Sequence, residues 1–141
     1  MHKHDIIILS IGGKYMKEKV NYFKCPICGN IIEITNGDIN RVNCCNKELE
    51  QLVANTTDGA LEKHVPVYDI VYNEIIIKVG ETIHPMEEKH YIMWISLVTD
   101  DMIIRKNLKP GDEPIVKLPY IKGAIIYEYC NLHGLWKNIV E

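Results

Sequence analysis

The run Tyr91-Ile92-Met93-Trp94-Ile95-Ser96-Leu97-Val98-Thr99-Asp100-Asp101-Met102-Ile103-Ile104-Arg105-Lys106-Asn107-Leu108 decides the fold class. Two stretches rich in β-branched and aromatic residues flank Asp100-Asp101, a polar break of the kind that separates strands. In the first stretch Tyr91, Met93 and Ile95 alternate with Ile92, Trp94 and Ser96. Apolar residues fall on both alternating faces, which predicts a strand covered on both sides for much of its length. Outward from this run the pattern repeats. Val65–Tyr72, Glu74–Val79, Ile115–Leu118 and Ala124–Tyr129 read as strands, with Tyr72-Asn73 and Lys109-Pro110-Gly111-Asp112 as breaks. Strands at this spacing predict an antiparallel sandwich or barrel over residues 55–141.

Residues 21–54 read as a separate small unit. Ile31–Thr35 and Ile39–Val42 are short β-rich runs around Asn36-Gly37, a strong hairpin signal. Glu48–Val53 reads as a further strand, and the polar Asn55-Thr56-Thr57-Asp58-Gly59 as the connection to the larger unit. No long amphipathic helix, internal repeat or low-complexity tract is visible.

Bulk composition narrows the function. A chain of 141 residues suffices for one sizeable core or two small domains. No apolar stretch approaches the roughly 20 residues of a membrane span. The net charge of −3 argues against nucleic acid as the main partner, because phosphate binding wants a basic face. Four of the five cysteines lie between Cys25 and Cys45. That odd, clustered set suits thiolates reserved for metal in a reducing cytoplasm better than a disulfide framework. Residues 1–20 form an N-terminal extension. Its apolar run Ile6–Leu9 is too short for a secretion signal. Gly12-Gly13 can be encoded by a ribosome-binding sequence just upstream of Met16, so translation is expected to start at Met16; the alternative is a disordered or loosely docked extension.

Two constellations carry chemistry. Cys25-Pro26-Ile27-Cys28-Gly29 is a metal knuckle, and Cys44-Cys45 completes a four-sulfur set. Four thiolates hold Zn²⁺ or a single iron, and the spacing does not choose between them. Adjacent cysteines must both turn onto one ion, so some distortion is expected; a Cys44–Cys45 disulfide is the weakest reading. In the larger unit every histidine, with the fifth cysteine, falls in a short segment marked by Pro or Gly. These are Glu62-Lys63-His64-Val65-Pro66, His84-Pro85-Met86-Glu87-Glu88-Lys89-His90 and Cys130-Asn131-Leu132-His133-Gly134. A single loop histidine is usually a surface residue. Four imidazoles and a thiolate exceed what tetrahedral zinc needs, and suit iron with one position left open.

These segments, together with Phe23–Asn30 and Leu108–Asp112, resemble the desulfoferrodoxin family, the two-iron form of superoxide reductase. The likeness covers essentially Tyr22 to Trp136, and the three histidine segments in this order are specific to it. Asn46 departs from the glycine common after the paired cysteines. The resemblance implies a small desulforedoxin-like domain with an Fe(Cys)₄ centre, followed by an immunoglobulin-like antiparallel β-sandwich with an Fe(His)₄(Cys) centre. Cys25, Cys28, Cys44 and Cys45 would hold the first iron. His64, His84, His90 and His133 would be equatorial ligands of the second, with Cys130 axial. Lys63 would flank the open position, and Glu62 would close it at rest. The implied reaction is one-electron reduction of superoxide to hydrogen peroxide in a cytoplasmic homodimer, re-reduced by a rubredoxin-like donor. The alternatives are a non-catalytic iron electron carrier and a zinc-ribbon interaction module on a structural sandwich.

Overall fold

The computed structural model describes residues 18–141, together with the backbone of residues 2–3, 10–11 and 14–15. The expected start at Met16 lies outside the described residues. Three two-residue strands come first: β1 (His2–Lys3), β2 (Ser10–Ile11) and β3 (Lys14–Tyr15). The cysteine-rich unit holds β4 (Tyr22–Lys24), β5 (Ile31–Glu33), β6 (Asn43–Cys44) and β7 (Lys47–Glu48). A single helical turn, α1 (Leu61–His64), leads into β8 (Pro66–Val71), β9 (Glu74–Val79), β10 (Ile92–Val98), β11 (Ile103–Asn107), β12 (Ile115–Pro119), β13 (Ile125–Cys130) and β14 (Gly134–Ile139).

The last seven strands form two antiparallel sheets, β8-β9-β12 with β1 on its outer edge, and β11-β10-β13-β14. Three strands facing four is the immunoglobulin-like sandwich expected from the sequence. Strict alternation places Ile75, Ile77 and Val79 of β9 and Val116 and Leu118 of β12 inward, against Ile92, Ile95, Leu97 and Ile126. Each such side chain contributes about 1.5–3 kcal/mol on burial. β14 is the strand the sequence does not announce. Its Lys137 and Asn138 are buried polar residues, which disguise the alternation.

β10 is buried on both faces as expected, but its register differs from simple alternation. A bulge between Ile92 and Trp94 turns both Ile92 and Ile95 into the inter-sheet core. Trp94 and Val98 then face outward, where Val20, Tyr22 and Ala54 cover them together with Tyr127, Tyr129 and Leu135. The outer face of this sheet is therefore the seat of the cysteine-rich unit. Arg105 reinforces the contact, lying 5.1 Å over the Trp94 ring and donating to the Tyr22 hydroxyl at 2.7 Å. A buried ion pair joins Glu18 to Lys137 at 3.0 Å, and the Tyr127 hydroxyl donates to the same carboxylate at 2.6 Å.

The hairpin expected around Asn36-Gly37 does not form. β5 pairs instead with β4, so the cysteine knuckle is the turn that joins two strands. A type I′ turn needs left-handed backbone at both central residues. Gly37 has φ 130°, whereas Asn36 is not among the positive-φ residues. Ile39 and Val42 serve as loop residues packing around Phe23, Cys25 and Leu49. The strand expected over Glu48–Val53 is likewise reduced to the β7 end and an isolated bridge between Gln51 and Phe23.

Candidate metal centres

The knuckle between β4 and β5 is closed by backbone bonds from Cys25 N–H to the Asn30 carbonyl and from Gly29 N–H to the Cys25 carbonyl, both 2.9 Å. Gly29 takes φ +79°, where a side chain would be strained. The second cysteine pair lies on a two-residue hairpin between β6 and β7. Cys45 (φ 51°) and Asn46 (φ 59°) are both left-handed, as a type I′ turn requires. Adjacent cysteines thus reach one point because Cys44 ends the strand and Cys45 opens the turn. Asn46 takes the place of a glycine because asparagine tolerates this backbone better than most residues.

The four sulfurs lie within 4.8 Å of one another. Cys28 and Cys44 are 3.6 Å apart and Cys44 and Cys45 are 4.0 Å apart. A disulfide requires about 2.05 Å. Four sulfurs at tetrahedral corners, each about 2.3 Å from an ion, are separated by about 3.8 Å. The site therefore fits a tetrahedral metal. Its electrostatics agree. The Cys28 N–H pulls the Cys25 thiol down to about 6, while the Cys28 sulfur and its neighbours push Cys45 up to about 12. Four thiolates this close need a cation among them.

The second donor set gathers at one end of the sandwich. His64 ends α1, His84 follows β9, and His90 lies in the turn before β10. Cys130 ends β13, and His133 sits in the turn that Gly134 (φ +82°) closes into β14. The ring centroids run His64–His84 4.7 Å, His84–His90 4.6 Å, His90–His133 5.0 Å and His133–His64 4.7 Å, each pair steeply inclined. The His64–His90 separation is 6.4 Å. This is a square of four rings with its diagonal. His64 Nε2 lies 3.0 Å from His133 Nδ1 and 3.1 Å from His84 Nε2. Nitrogens bound at right angles about 2.0–2.1 Å from an ion are about 2.9 Å apart, whereas a tetrahedron opens them to about 3.3 Å. His90 Nε2 is buried without a hydrogen-bond partner among the described residues, and Cys130 Sγ lies 3.7 Å from His133 Nδ1. All five donor atoms fall within 4.8 Å. An unpaired buried imidazole nitrogen beside three others fits a metal at their centre.

The surroundings aim the donors. His64 Nδ1 meets the Ala60 carbonyl at 2.7 Å and His84 Nδ1 the Pro85 carbonyl at 2.6 Å, which leaves each Nε2 for the ion. Trp136 stacks on His64 at 4.9 Å and donates its indole N–H to the His133 carbonyl. A Cβ at Gly59 would meet Trp136, His133 and His64 at 3.2–3.3 Å, so that position is closely packed against two ligands. Burial pulls His84 down to about 4 and lowers His64 and His90 as well, which favours the neutral, metal-binding form of these three imidazoles. Burial raises the Cys130 thiol, against the lowering effect of the His133 and Leu132 N–H groups.

Every metal residue named from the sequence falls in one of these two sets. Lys63 and Glu62 are exposed on the turn of α1. The Lys63 charge is felt by His64 and His90, whereas Glu62 is outside the donor set. Sequence reading missed Trp136, Asn131 and Glu128. Glu128 shares the inward face of β13 with Ile126 and Cys130; its buried carboxyl has no hydrogen-bond partner among the described residues, and burial raises it well above the ordinary carboxylate range. Its signal was a charged residue alternating with core residues.

Comparison with known proteins places both sets in one context. Residues 56–139 match the Desulfoferrodoxin family profile and residues 17–52 the Desulfoferrodoxin N-terminal domain profile. The chain is 48% identical over 124 residues to the desulfoferrodoxin of Syntrophotalea carbinolica, covering 87% of this chain and 98% of that one. It is 30% identical over 100 residues to the superoxide reductase of Pyrococcus abyssi, covering 57% and 87% of the two chains. In three dimensions it is similar to the superoxide reductase of Treponema pallidum, with a TM-score of 0.66 at 31% identity over 86% of this chain and 99% of that one. The four-sulfur and four-imidazole-plus-sulfur sets match the two-iron arrangement of that family.

Proposed function

This chain belongs to the desulfoferrodoxin family, and on that premise we propose that it is a superoxide reductase, converting superoxide to hydrogen peroxide by one-electron reduction. The observation that carries this reading is the square of four imidazoles with a buried thiolate beside it. His64, His84, His90, His133 and Cys130 would hold an iron(II) ion, which would supply the electron, and two protons would complete the peroxide.

The residues of the chain do the rest. Neutral imidazoles add no charge of their own to the site, so with a single thiolate a divalent ion there stays net positive. Lys63 adds a second positive charge at the exposed edge, which counters the chain's net charge of −3 and attracts a small anion. The Lys63 ammonium also orders water from which protons reach the product. Glu62, one residue earlier and exposed, closes the site at rest. The buried Cys130 sulfur, held by the His133 and Leu132 N–H groups, favours electron donation from the ion. A rubredoxin-like donor restores the reduced state. The protein works as a cytoplasmic homodimer, with 21–54 and 55–141 as its domains.

Stopped-flow mixing of the reduced protein with superoxide tests the reading. Each superoxide consumed should give one hydrogen peroxide without oxygen release. The Lys63→Ala variant should react roughly 10-fold more slowly at low ionic strength, with the gap closing in salt. Oxygen evolution, or slow oxidation without peroxide, would remove the activity; an unchanged Lys63→Ala rate would remove the steering role.

A further inference from the structure

The ladder between β10 and β13 stops at Ile92 and Cys130, where the bulge in β10 begins. His90 lies beyond the end of β10, in a turn held by reciprocal Glu87–His90 backbone bonds at 2.9 and 3.0 Å. The residue after Cys130 spans this gap. Asn131 Oδ1 accepts from the Tyr91 N–H at 2.9 Å, and Asn131 Nδ2 donates to the Lys89 carbonyl at 3.0 Å. Its own N–H donates to the Tyr91 carbonyl at 3.2 Å. The side-chain amide presents one acceptor and one donor, as a peptide unit would, and so adds a rung where the strand has ended. Its two contacts flank His90 on either side. His64 and His84 are aimed by ring bonds within their own segments. His90 is the ligand whose neighbours on both sides are pinned from another ligand segment.

We propose that Asn131 is a positioning residue of the second metal centre, a clamp that fixes His90 relative to Cys130 and thereby sets how tightly this centre holds its ion. The proposal rests on the metal-centre reading above and reaches beyond it to a residue that donates nothing to the metal. Outer contacts of this kind are worth roughly 10–100-fold in metal affinity. Asn131→Ala removes both prongs. Asn131→Asp keeps the shape and the acceptor facing Tyr91 but loses the donor to Lys89.

Cobalt(II) titration of the metal-free full-length chain tests the proposal, because the two centres give separate absorption bands. In Asn131→Ala the affinity of the imidazole centre should fall roughly 10–100-fold, with the four-sulfur centre unchanged as an internal control. Loss of an imidazole should also strengthen the cobalt d–d bands of that centre, as its coordination number drops. Asn131→Asp should fall between Ala and the native chain. Native-like affinity and bands in Asn131→Ala would overturn the clamp. So would parallel weakening at both centres with a lower unfolding midpoint, which is the mark of general destabilisation. Failure of the native imidazole centre to take up cobalt would instead refute the metal-centre reading itself.

Discussion

At the residue scale, the buried ions show what individual side chains contribute. Glu18 and Lys137 have side chains only 2% and 1% exposed, and are 3.0 Å apart. Tyr127 donates to Glu18, and the neighbouring Lys19 N–H donates to the Tyr127 hydroxyl at 3.1 Å. Burial, then the adjacent carboxylate, raises the Tyr127 hydroxyl far above its ordinary range, so it remains a donor. Such a pair adds little net stability, but half of it is costly to leave. Lys137→Met should lower unfolding free energy by about 3–5 kcal/mol in urea titrations, whereas Glu18→Met with Lys137→Met should sit near the native value. Equal losses in the single and double variants would show that packing, and not the unpaired carboxylate, sets the cost. No pattern at the sequence level joins residues 119 positions apart, so this contact was not legible before the fold.

At the element scale, the turns carry more of the site than the strands do. The positions of β8 to β13 were legible because β-branched residues and polar breaks alternate regularly. The bulge in β10 was not, since one extra residue leaves the apolar pattern intact while it exchanges the two faces. The false hairpin at Asn36-Gly37 has the same origin: a turn signal describes what the backbone tolerates, and the Ile39 and Val42 side chains went to the sulfur-lined core instead. Glycine marks the decisive turn near the second centre. Gly80 has φ +81°, and a Cβ there would lie 2.5 Å from the Thr82 carbonyl oxygen and 2.7 Å from the Lys63 backbone. The same turn holds α1 through the Thr82 N–H bond to the Glu62 carbonyl at 3.0 Å. Gly80→Ala should therefore cost about 2–4 kcal/mol and displace the Lys63-His64 turn. Metal analysis should find the imidazole centre depleted and the four-sulfur centre full; full occupancy of both with native stability would show that the turn yields freely.

At the scale of the whole molecule, the two centres have separate foundations. The four-sulfur site rests on a small cluster of Phe23, Cys25, Val42 and Leu49. The imidazole site stands on the inter-sheet core, which includes Cys130 itself. The ligand sets were legible in the sequence because their residue types are scarce and fall in marked segments. Their convergence was implied by the family resemblance and not by the strand pattern, because it depends on which strand ends share one end of the sandwich. Separate foundations predict separate occupancy. Cys45→Ser should empty the first centre and leave the second loaded, isolating it for X-ray absorption at the iron edge. In that variant the iron should be surrounded by four nitrogens and one sulfur, the donors of His64, His84, His90, His133 and Cys130. A sulfur-rich shell, or fewer imidazole nitrogens with oxygen in their place, would contradict it.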